Sequence, residues 1–353
     1  MPTPATTDAM MHEAIAALKQ EKSLSAAARK LGLSRSAFQD RIYKARNAGL
    51  IEAVPLEAPE VPQAAPLPDP DLPIEQLVTY KKSAFERKHA NVLAKRWRRF
   101  KVPTHGPYAL MFVGDPHLDD DGCNLPLWED HCELMAGTEH LYAVNIGDVT
   151  NDWVGRLAKL YANQEMGAHN AKRLVKHYLA ERGIPWFLWL HGNHDMWDGP
   201  VGRDFFEGIR PNYVTMEDWQ AKVTMVSPNG KQIRLWAAHN FKGNSIWNPM
   251  HGPLRAAQME DWAHLYVAGH HHNCGLFQHE NAHRDFVANG MRVRGYKFID
   301  SYADLHQFGS HQYGASGIAI IDPDADKLNA VTCFLDPFEG ADFLAWKRRK
   351  AAA

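Results

Sequence analysis

The chain holds only four cysteines, Cys123, Cys132, Cys274 and Cys333, and no two stand as a CxxC pair. That excludes a disulfide-stapled scaffold and a thiolate zinc site, and the four read as reduced thiols of a cytoplasmic protein. Cys274, two residues after His272, reads as a packed small residue. No run of 18 apolar residues exists, so no membrane span is expected. Met1 to Met10 lack a basic start followed by an apolar stretch, so a signal peptide is not expected. Net charge is nearly absent as well, −2 over 353 residues. What remains is a chain that is 45% hydrophobic, long enough for two or three units with a sizeable core.

The small net charge hides an uneven distribution. Residues 1–50 carry eight Lys/Arg and four Asp/Glu, residues 51–80 six acidic and no basic residues, and residues 81–101 nine basic and one acidic. The rest of the chain is net acidic. Positive charge gathered ahead of the largest segment suggests contact with a polyanion.

Five short motifs each follow an apolar, strand-like run. They are Asp115-Pro116-His117 after Tyr108 to Val113, and Gly147-Asp148 after Leu141 to Ile146. Gly192-Asn193-His194-Asp195 follows Trp186 to Leu190. His239-Asn240 follows Ile233 to Ala238, and Gly269-His270-His271-His272 follows Leu265 to Ala268. In open α/β sheets, sites form outside the carboxyl ends of strands, so five such ends can converge. Imidazole, carboxylate and amide oxygen suit two divalent ions of the manganese, iron or zinc kind. Asp115 and His117 are two apart, as are His270 and His272; in an extended chain such pairs face one side, and His271 between them faces the other. One carboxylate bridging two ions would hold them about 3.5–4 Å apart, a separation suited to in-line attack on phosphorus.

With these residues the chain resembles the calcineurin-like metallophosphoesterases, whose pattern is D-x-H, G-D, G-N-H-[DE], a lone H and G-H-x-H in this order. The resemblance covers roughly residues 108 to 335. It implies an α/β sandwich, two sheets flanked by helices, and hydrolysis of a phosphoester by a metal-activated hydroxide. It implies that Asp115, His117 and His272 bind one metal, that Asn193, His239 and His270 bind a second, and that Asp148 bridges them. Manganese is the first expectation; iron, zinc or nickel would be accepted. His194 would stabilise the transition state and protonate the leaving oxygen, oriented by Asp195. His239 has no local signature, and His251 is its rival.

Ahead of this domain, residues 1–50 read as three helices: about Ala9 to Gln20, a second after Ser23 or Ser25, a turn at Gly32-Leu33, and a third capped by Ser34 from Arg35 to about Arg46. The stretch from Ser25 to Arg46 resembles the helix-turn-helix of Fis-type regulators, which implies DNA binding through Arg35, Ser36, Gln39, Arg41 and Lys44. A small helical bundle for protein contacts is the alternative. One copy would bind weakly, so an oligomer or a second contact is expected.

Residues 51–78 read as a linker with seven prolines between Pro55 and Pro73. Residues 79–106 read as a basic helical connector. Its Lys and Arg could lie on a phosphate backbone, with Trp97 and Phe100 either stacking on bases or packing on the next domain. Residues 107–345 read as the domain that resembles the metallophosphoesterases, with a crossover helix from Leu157 to Arg182, and residues 346–353 as a basic, solvated tail. Asp119-Asp120-Asp121 reads as a solvated loop and Asn244 to Leu254 as a loop able to grip substrate. His264, His279, His283, His306 and His311 read as surface or satisfied core residues.

The appended helices and basic segment point to nucleic acid, DNA first, contacted through residues 8–50 and 79–101, and so to a nuclease. Nuclease subunits of double-strand-break repair belong to the resembled superfamily, and the fusion resembles phosphoesterases encoded by bacterial viruses, which suggests the cytoplasm of a bacterial or phage-infected cell. Two alternatives stand: a phosphatase or cyclic-nucleotide phosphodiesterase whose head binds a partner, and a DNA-binding or scaffold module.

Overall fold

A computed structural model describes residues 6–21, 23–51, 71–281, 285–299 and 313–352. The chain divides into two compact units, Met1–Pro73 and Ile74–Ala353. Most of the proline-rich stretch, with His283, His306 and His311, lies outside the described residues.

The smaller unit is three helices, α1 (Asp8–Glu21), α2 (Leu24–Lys30) and α3 (Arg35–Asn47). Small side chains let them close on one another: Ala14, Ala17, Ala27 and Ala28 pack around Phe38 and Ile42. Ser34 starts α3 by accepting the N–H of Ala37 at 3.2 Å. Gly32 takes φ 67 between α2 and α3, a left-handed step that glycine makes without Cβ strain. Ser23 stands at the start of α2 without a side-chain cap bond. On α3, Arg35, Ser36, Gln39 and Lys44 are exposed and Arg41 is half-buried.

The larger unit is a sandwich of two six-stranded mixed sheets flanked by helices, the architecture the resemblance implied. In the first sheet, β2 (Tyr108–Val113), β3 (Leu141–Asn145), β4 (Trp186–His191) and β5 (Thr215–Asp218) run parallel. The hairpin β11 (Ser316–Ile321) and β12 (Val331–Phe334) extends it antiparallel beside β2. The second sheet runs in the order β1 (Arg98–Lys101), β6 (Gln220–Val226), β7 (Gln232–Ala238), β8 (Leu265–Ala268), β10 (Phe286–Arg292), β9 (Gly275–Asn281).

Strand β2 is buried at every residue because both faces of its sheet are covered, which is why it reads as an unbroken apolar run. Leu110 and Phe112 point between the sheets, where they meet Leu235, Leu265 and Val267 of the other sheet. Ala109, Met111 and Val113 point outward, to a layer built with Trp128, Cys132 and Met135 of α5 (Leu125–Gly137), Val175 of α6 (Ala168–Lys176) and Leu344. On the far side, Trp236 and Tyr266 pack under Ala256 and Ala257 of a helix at His251–Met259.

Several boundaries differ from the sequence reading. Helix α4 (Ile74–Lys95) begins inside the stretch read as linker, since no proline follows Pro73 to interrupt it. The connector does not stay helical. Residues Arg98–Lys101 form β1, paired parallel with β6, and so belong to the sheet. Trp97 packs against the outer layer, with Arg234 4.7 Å over its ring, and Phe100 meets Phe187 at 5.6 Å. Those two aromatics anchor the segment rather than standing free for bases. Between β3 and β4 the expected crossover helix is a 3₁₀ stretch (Gly155–Asn163), then α6, ending in a π-type turn (His177–Glu181). The basic tail belongs to the helix Pro337–Ala352, held by Lys347 on Asp322 at 2.8 Å and by Arg348 donating to the His105 carbonyl at 3.1 Å.

Because Phe38 is fully buried in a unit with so small a core, Phe38→Ala is expected to cost about 3–5 kcal/mol, comparable to all that such a unit holds. Calorimetry should show the helical transition lost and that of the larger unit unmoved. A matching shift of both transitions would contradict two separate cores.

Candidate metal centre

The five motifs end strands of both sheets. Asp115 and His117 follow β2, Asp148 follows β3, and Asn193 to Asp195 follow β4. His239 follows β7, and His270 and His272 follow β8. All five are carboxyl ends of strands with a parallel neighbour, where such sites form.

The pairs two residues apart are not extended, as the alternation argument assumed. Strand β2 ends at Val113 and β8 at Ala268. Asp115, His117, Asp148, His270 and His272 instead take left-handed backbone, with φ of 46°, 43°, 54°, 71° and 47°. Such conformations cost about 1–3 kcal/mol each for residues with a Cβ and persist where the surroundings impose them. Here the loops are laced to one another: Asp115 N–H donates to the Gly147 carbonyl at 2.8 Å, His117 N–H to that of Asp148 at 3.3 Å, and Gly269 N–H to that of His239 at 3.1 Å. His271 is likewise no strand residue; its half-buried ring lies 4.9 Å from that of His270.

Among the described residues, two groups of side chains can each hold an ion, with donor atoms within 4.8 Å of one another: His117, Asp148 and His194, and Asp148, His239 and His270. Asp148 belongs to both. In the second group His239 Nε2 lies 3.2 Å from Asp148 Oδ2 and 3.0 Å from both Asn193 Oδ1 and His270 Nδ1. The other nitrogen, His239 Nδ1, lies 3.0 Å from the Ile146 carbonyl; donating there orients the ring so that Nε2 faces the cage. Asp115 borders it, with Oδ1 3.7 Å from His239 Nδ1 and Oδ2 accepting the His270 N–H at 2.6 Å. The His272 ring stacks on that of His117, centroids 5.4 Å apart. The site thus gathers Asp115, His117, Asp148, Asn193, His194, His239, His270 and His272. His251 does not join it; it is exposed at the first position of its helix, beside Gly243.

Charge is poorly balanced in this space. Burial drives the Asp115 carboxyl up to about 8 against the pull of His239. Burial drives His117 well below the ordinary imidazole range, with His194 and His272 adding to the effect, and lowers His270 to about 4. Burial also pushes against ionisation of Asp148, but His239, His194 and His117 together hold it below the usual carboxylate range. His239 is raised to about 9 because Asp148 and Asp115 outweigh its own burial. Asp115 Oδ1 and both ring nitrogens of His117 are buried without a hydrogen-bond partner. Orphaned lone pairs beside crowded carboxylates are what a divalent cation satisfies, so the donor set fits the ions the resemblance implies.

His194 stands at the rim of this cage. Its Nδ1 is held by the main-chain carbonyl of Asn151, its backbone N–H donates to Asp148 Oδ1 at 2.9 Å, and its Nε2 is 3.9 Å from Asp148 Oδ2. Trp197 and Trp153 wall it, with centroids 4.0 and 5.2 Å away. The expected orienting role of Asp195 is corrected here. Its carboxylate accepts the backbone N–H groups of Asp148 (2.7 Å), Gly192 (2.8 Å) and Val149 (3.0 Å), tying two donor loops together. A carboxylate spent on three amides has turned away from the ring; Asn151 holds it instead.

Sequence reasoning missed Asn151, the two tryptophans and Arg292. Arg292 is buried and donates to the Gly269 carbonyl at 2.8 Å, bracing the His270 loop. No spacing rule points to a main-chain carbonyl, although a tryptophan beside each of two motifs was a visible signal. The acidic run is also corrected. Asp119 is buried, and Asp120 pairs with Lys297 at 2.9 Å.

Neither protein-family models nor curated proteins give a match to the chain. Among solved structures it is similar to YfkN, a calcineurin-like phosphoesterase from Bacillus subtilis, at 10% identity and a TM-score of 0.36, over 69% of this chain and 100% of that one. It is also similar to GAP50, the anchor in the inner membrane complex of Plasmodium, at 11% identity and a TM-score of 0.34, over 65% of this chain and 88% of that one. The site's own geometry, not these distant likenesses, carries the reading that follows.

Gly192 has no room for a side chain: a Cβ there would lie 2.2 Å from Asp148 Oδ1 and 2.7 Å from His239 Cε1. Gly192→Ala must displace one of them. It is expected to weaken Mn²⁺ affinity about 10–100-fold, read by competition with a fluorescent chelator. Unchanged affinity would show that this cage is not the metal site.

Proposed function

We propose that the chain is a metallophosphoesterase that uses two divalent ions and cleaves nucleic acid, DNA in the first instance. One observation carries the hydrolytic part: a buried carboxylate, Asp148, belongs to two donor groups at once, beside unpartnered atoms of Asp115 and His117. Asp115, His117, His272 and Asp148 would hold one ion; Asn193, His239, His270 and Asp148 the other. Bound there, two divalent cations supply Lewis acidity towards a phosphoryl oxygen and lower the pKa of water. The side chains supply the rest. Asp195 holds the Asp148 and Asn193 loops at fixed separation. His194, its Nδ1–H given to Asn151, keeps Nε2 as the nitrogen that protonates the departing oxygen.

The nucleic-acid part rests on charge and exposure. Helix α3 offers Arg35, Ser36, Gln39 and Lys44 to solvent, and α4 has no buried residue while carrying Lys81, Lys82, Arg87 and Lys88. A polyanion suits both. One observation favours the second reading, a small-substrate phosphodiesterase or phosphatase: Trp97 and Phe100 are already packed on the sandwich.

The deciding experiment offers the Mn²⁺-loaded protein bis-p-nitrophenyl phosphate, single- and double-stranded DNA, end-labelled or circular, and 3′,5′-cyclic AMP. Cleavage of DNA, abolished by chelator and restored by Mn²⁺, is expected. Hydrolysis of cyclic AMP with both DNAs intact would sink the nuclease reading. Removal of residues 1–73 should reduce the slope of DNA affinity against log salt if the helices contact phosphates; an unchanged slope would remove them from the interface.

His194→Ala is expected to keep both metals and lose about 10²–10⁴-fold in turnover. Asp148→Ala should lose bound metal as well. Equal metal loss in the two, by elemental analysis, would contradict this division of roles.

A further inference from the structure

In the acidic run Asp119-Asp120-Asp121 only Asp121 is exposed. Asp119 is 2% exposed. Its Oδ1 accepts the N–H of Asn151 at 2.7 Å and its Oδ2 accepts from Gln164 Nε2 at 2.8 Å. The Asn151 side chain donates in turn to Asp120 Oδ2 at 2.8 Å and to Gln164 Oε1 at 3.1 Å. Gln164 is pinned by its bond to the Met166 carbonyl at 2.7 Å, and Asp120 by Lys297. Three of these bonds hold Asn151 directly and the others pin its partners, and the carbonyl of Asn151 holds His194 Nδ1. The residue that follows, Asp152, takes φ 39.

We propose that Asp119, with Asp120 and Gln164, is a positioning device for His194 that acts through the main chain of Asn151. The inference rests on the reading of His194 as the proton donor. A carbonyl can only accept, so a ring held by one must carry a proton on Nδ1. Nε2 is then the sole nitrogen able to pass a proton to the leaving oxygen. A carbonyl does so only while its peptide plane keeps its direction. Asp119 holds the preceding peptide unit through the Asn151 N–H, and Asp120 and Gln164 hold the Asn151 side chain, so the Cα from which the carbonyl's plane extends is fixed on two sides. An imidazole freed from this hold can rotate or change tautomer, and the acid is lost although both metals stay bound.

The test compares two diesters of similar size in the full-length, Mn²⁺-loaded protein, and so does not depend on nucleic acid being the substrate. Bis-p-nitrophenyl phosphate loses a stabilised phenolate that hardly needs a proton. Diphenyl phosphate loses a basic phenolate that does. Asp119→Ala is expected to slow diphenyl phosphate about 10–100-fold, up to the lower end of a general acid's contribution. The nitrophenyl ester should remain near wild type, with metal content unchanged. Asp119→Asn, which keeps an acceptor, should recover most of the loss, and Gln164→Ala should give a milder loss of the same selectivity. The double variant Asp119→Ala, His194→Ala should be no slower on diphenyl phosphate than His194→Ala alone.

Equal slowing of both esters, or a double variant slower than His194→Ala, would overturn the inference and make Asp119 a general structural residue. If His194→Ala itself fails to discriminate between the esters, the acid role of His194 falls. If His194→Ala discriminates and the Asp119 and Gln164 variants do not, only the positioning claim falls.

Discussion

The structure turns on a buried excess of lone pairs. Asp115, Asp148, Asn193, His117 and His270 direct oxygen and nitrogen acceptors into one largely buried space beside His239. A folded chain tolerates uncompensated buried charge badly, because leaving water costs several kcal/mol per ion. A protonated His239 lies among these acceptors, and one proton cannot serve so many. The perturbed ionisation follows from this shortage: Asp115 resists losing its proton, His117 and His270 resist gaining one, and Asp148 and His239 hold each other charged.

Around that deficit the fold supplies rigidity. Neither sheet needs the donor residues to complete its ladders; these occupy the turns just beyond strand ends. Five of them are forced into left-handed backbone, and hydrogen bonds between loops hold them there. Asp195 is the clearest case: a buried carboxylate whose three amide partners belong to two different donor loops. Strain stored at a site and held by its surroundings is a common mark of function.

Much of this was legible in the chain itself. The apolar runs before each motif marked β2, β3, β4, β7 and β8 because parallel strands covered on both faces lose polar alternation. The donor residues were legible through ordered spacing, and the geometry brings them together. What was not legible has physical reasons. Extended-chain periodicity does not survive the turn at a strand end, so the facing of Asp115 and His117 had to come from backbone dihedrals. Asp195 was mistaken for the partner of His194 because adjacency in sequence says nothing about where a carboxylate turns; the true partner is a main-chain oxygen, which has no letter in the sequence. The Asp119 run reads as solvated only if its burial against Asn151 and Gln164 is unknown. Nor does composition reveal that Arg98–Lys101 would add an edge strand.

The donors do not come from one sheet. Asp115, His117, Asp148 and Asn193 ride on the sheet containing β2, and His239, His270 and His272 on the sheet containing β7. The apolar filling of Leu110, Phe112, Leu235 and Val267 between the layers therefore acts as a ruler for the gap between the two sets of donors. Trimming or swelling that filling, well away from any ion, would slide one half of the coordination sphere past the other. The fit of the cage would then be tunable by greasy residues that touch none of its donors.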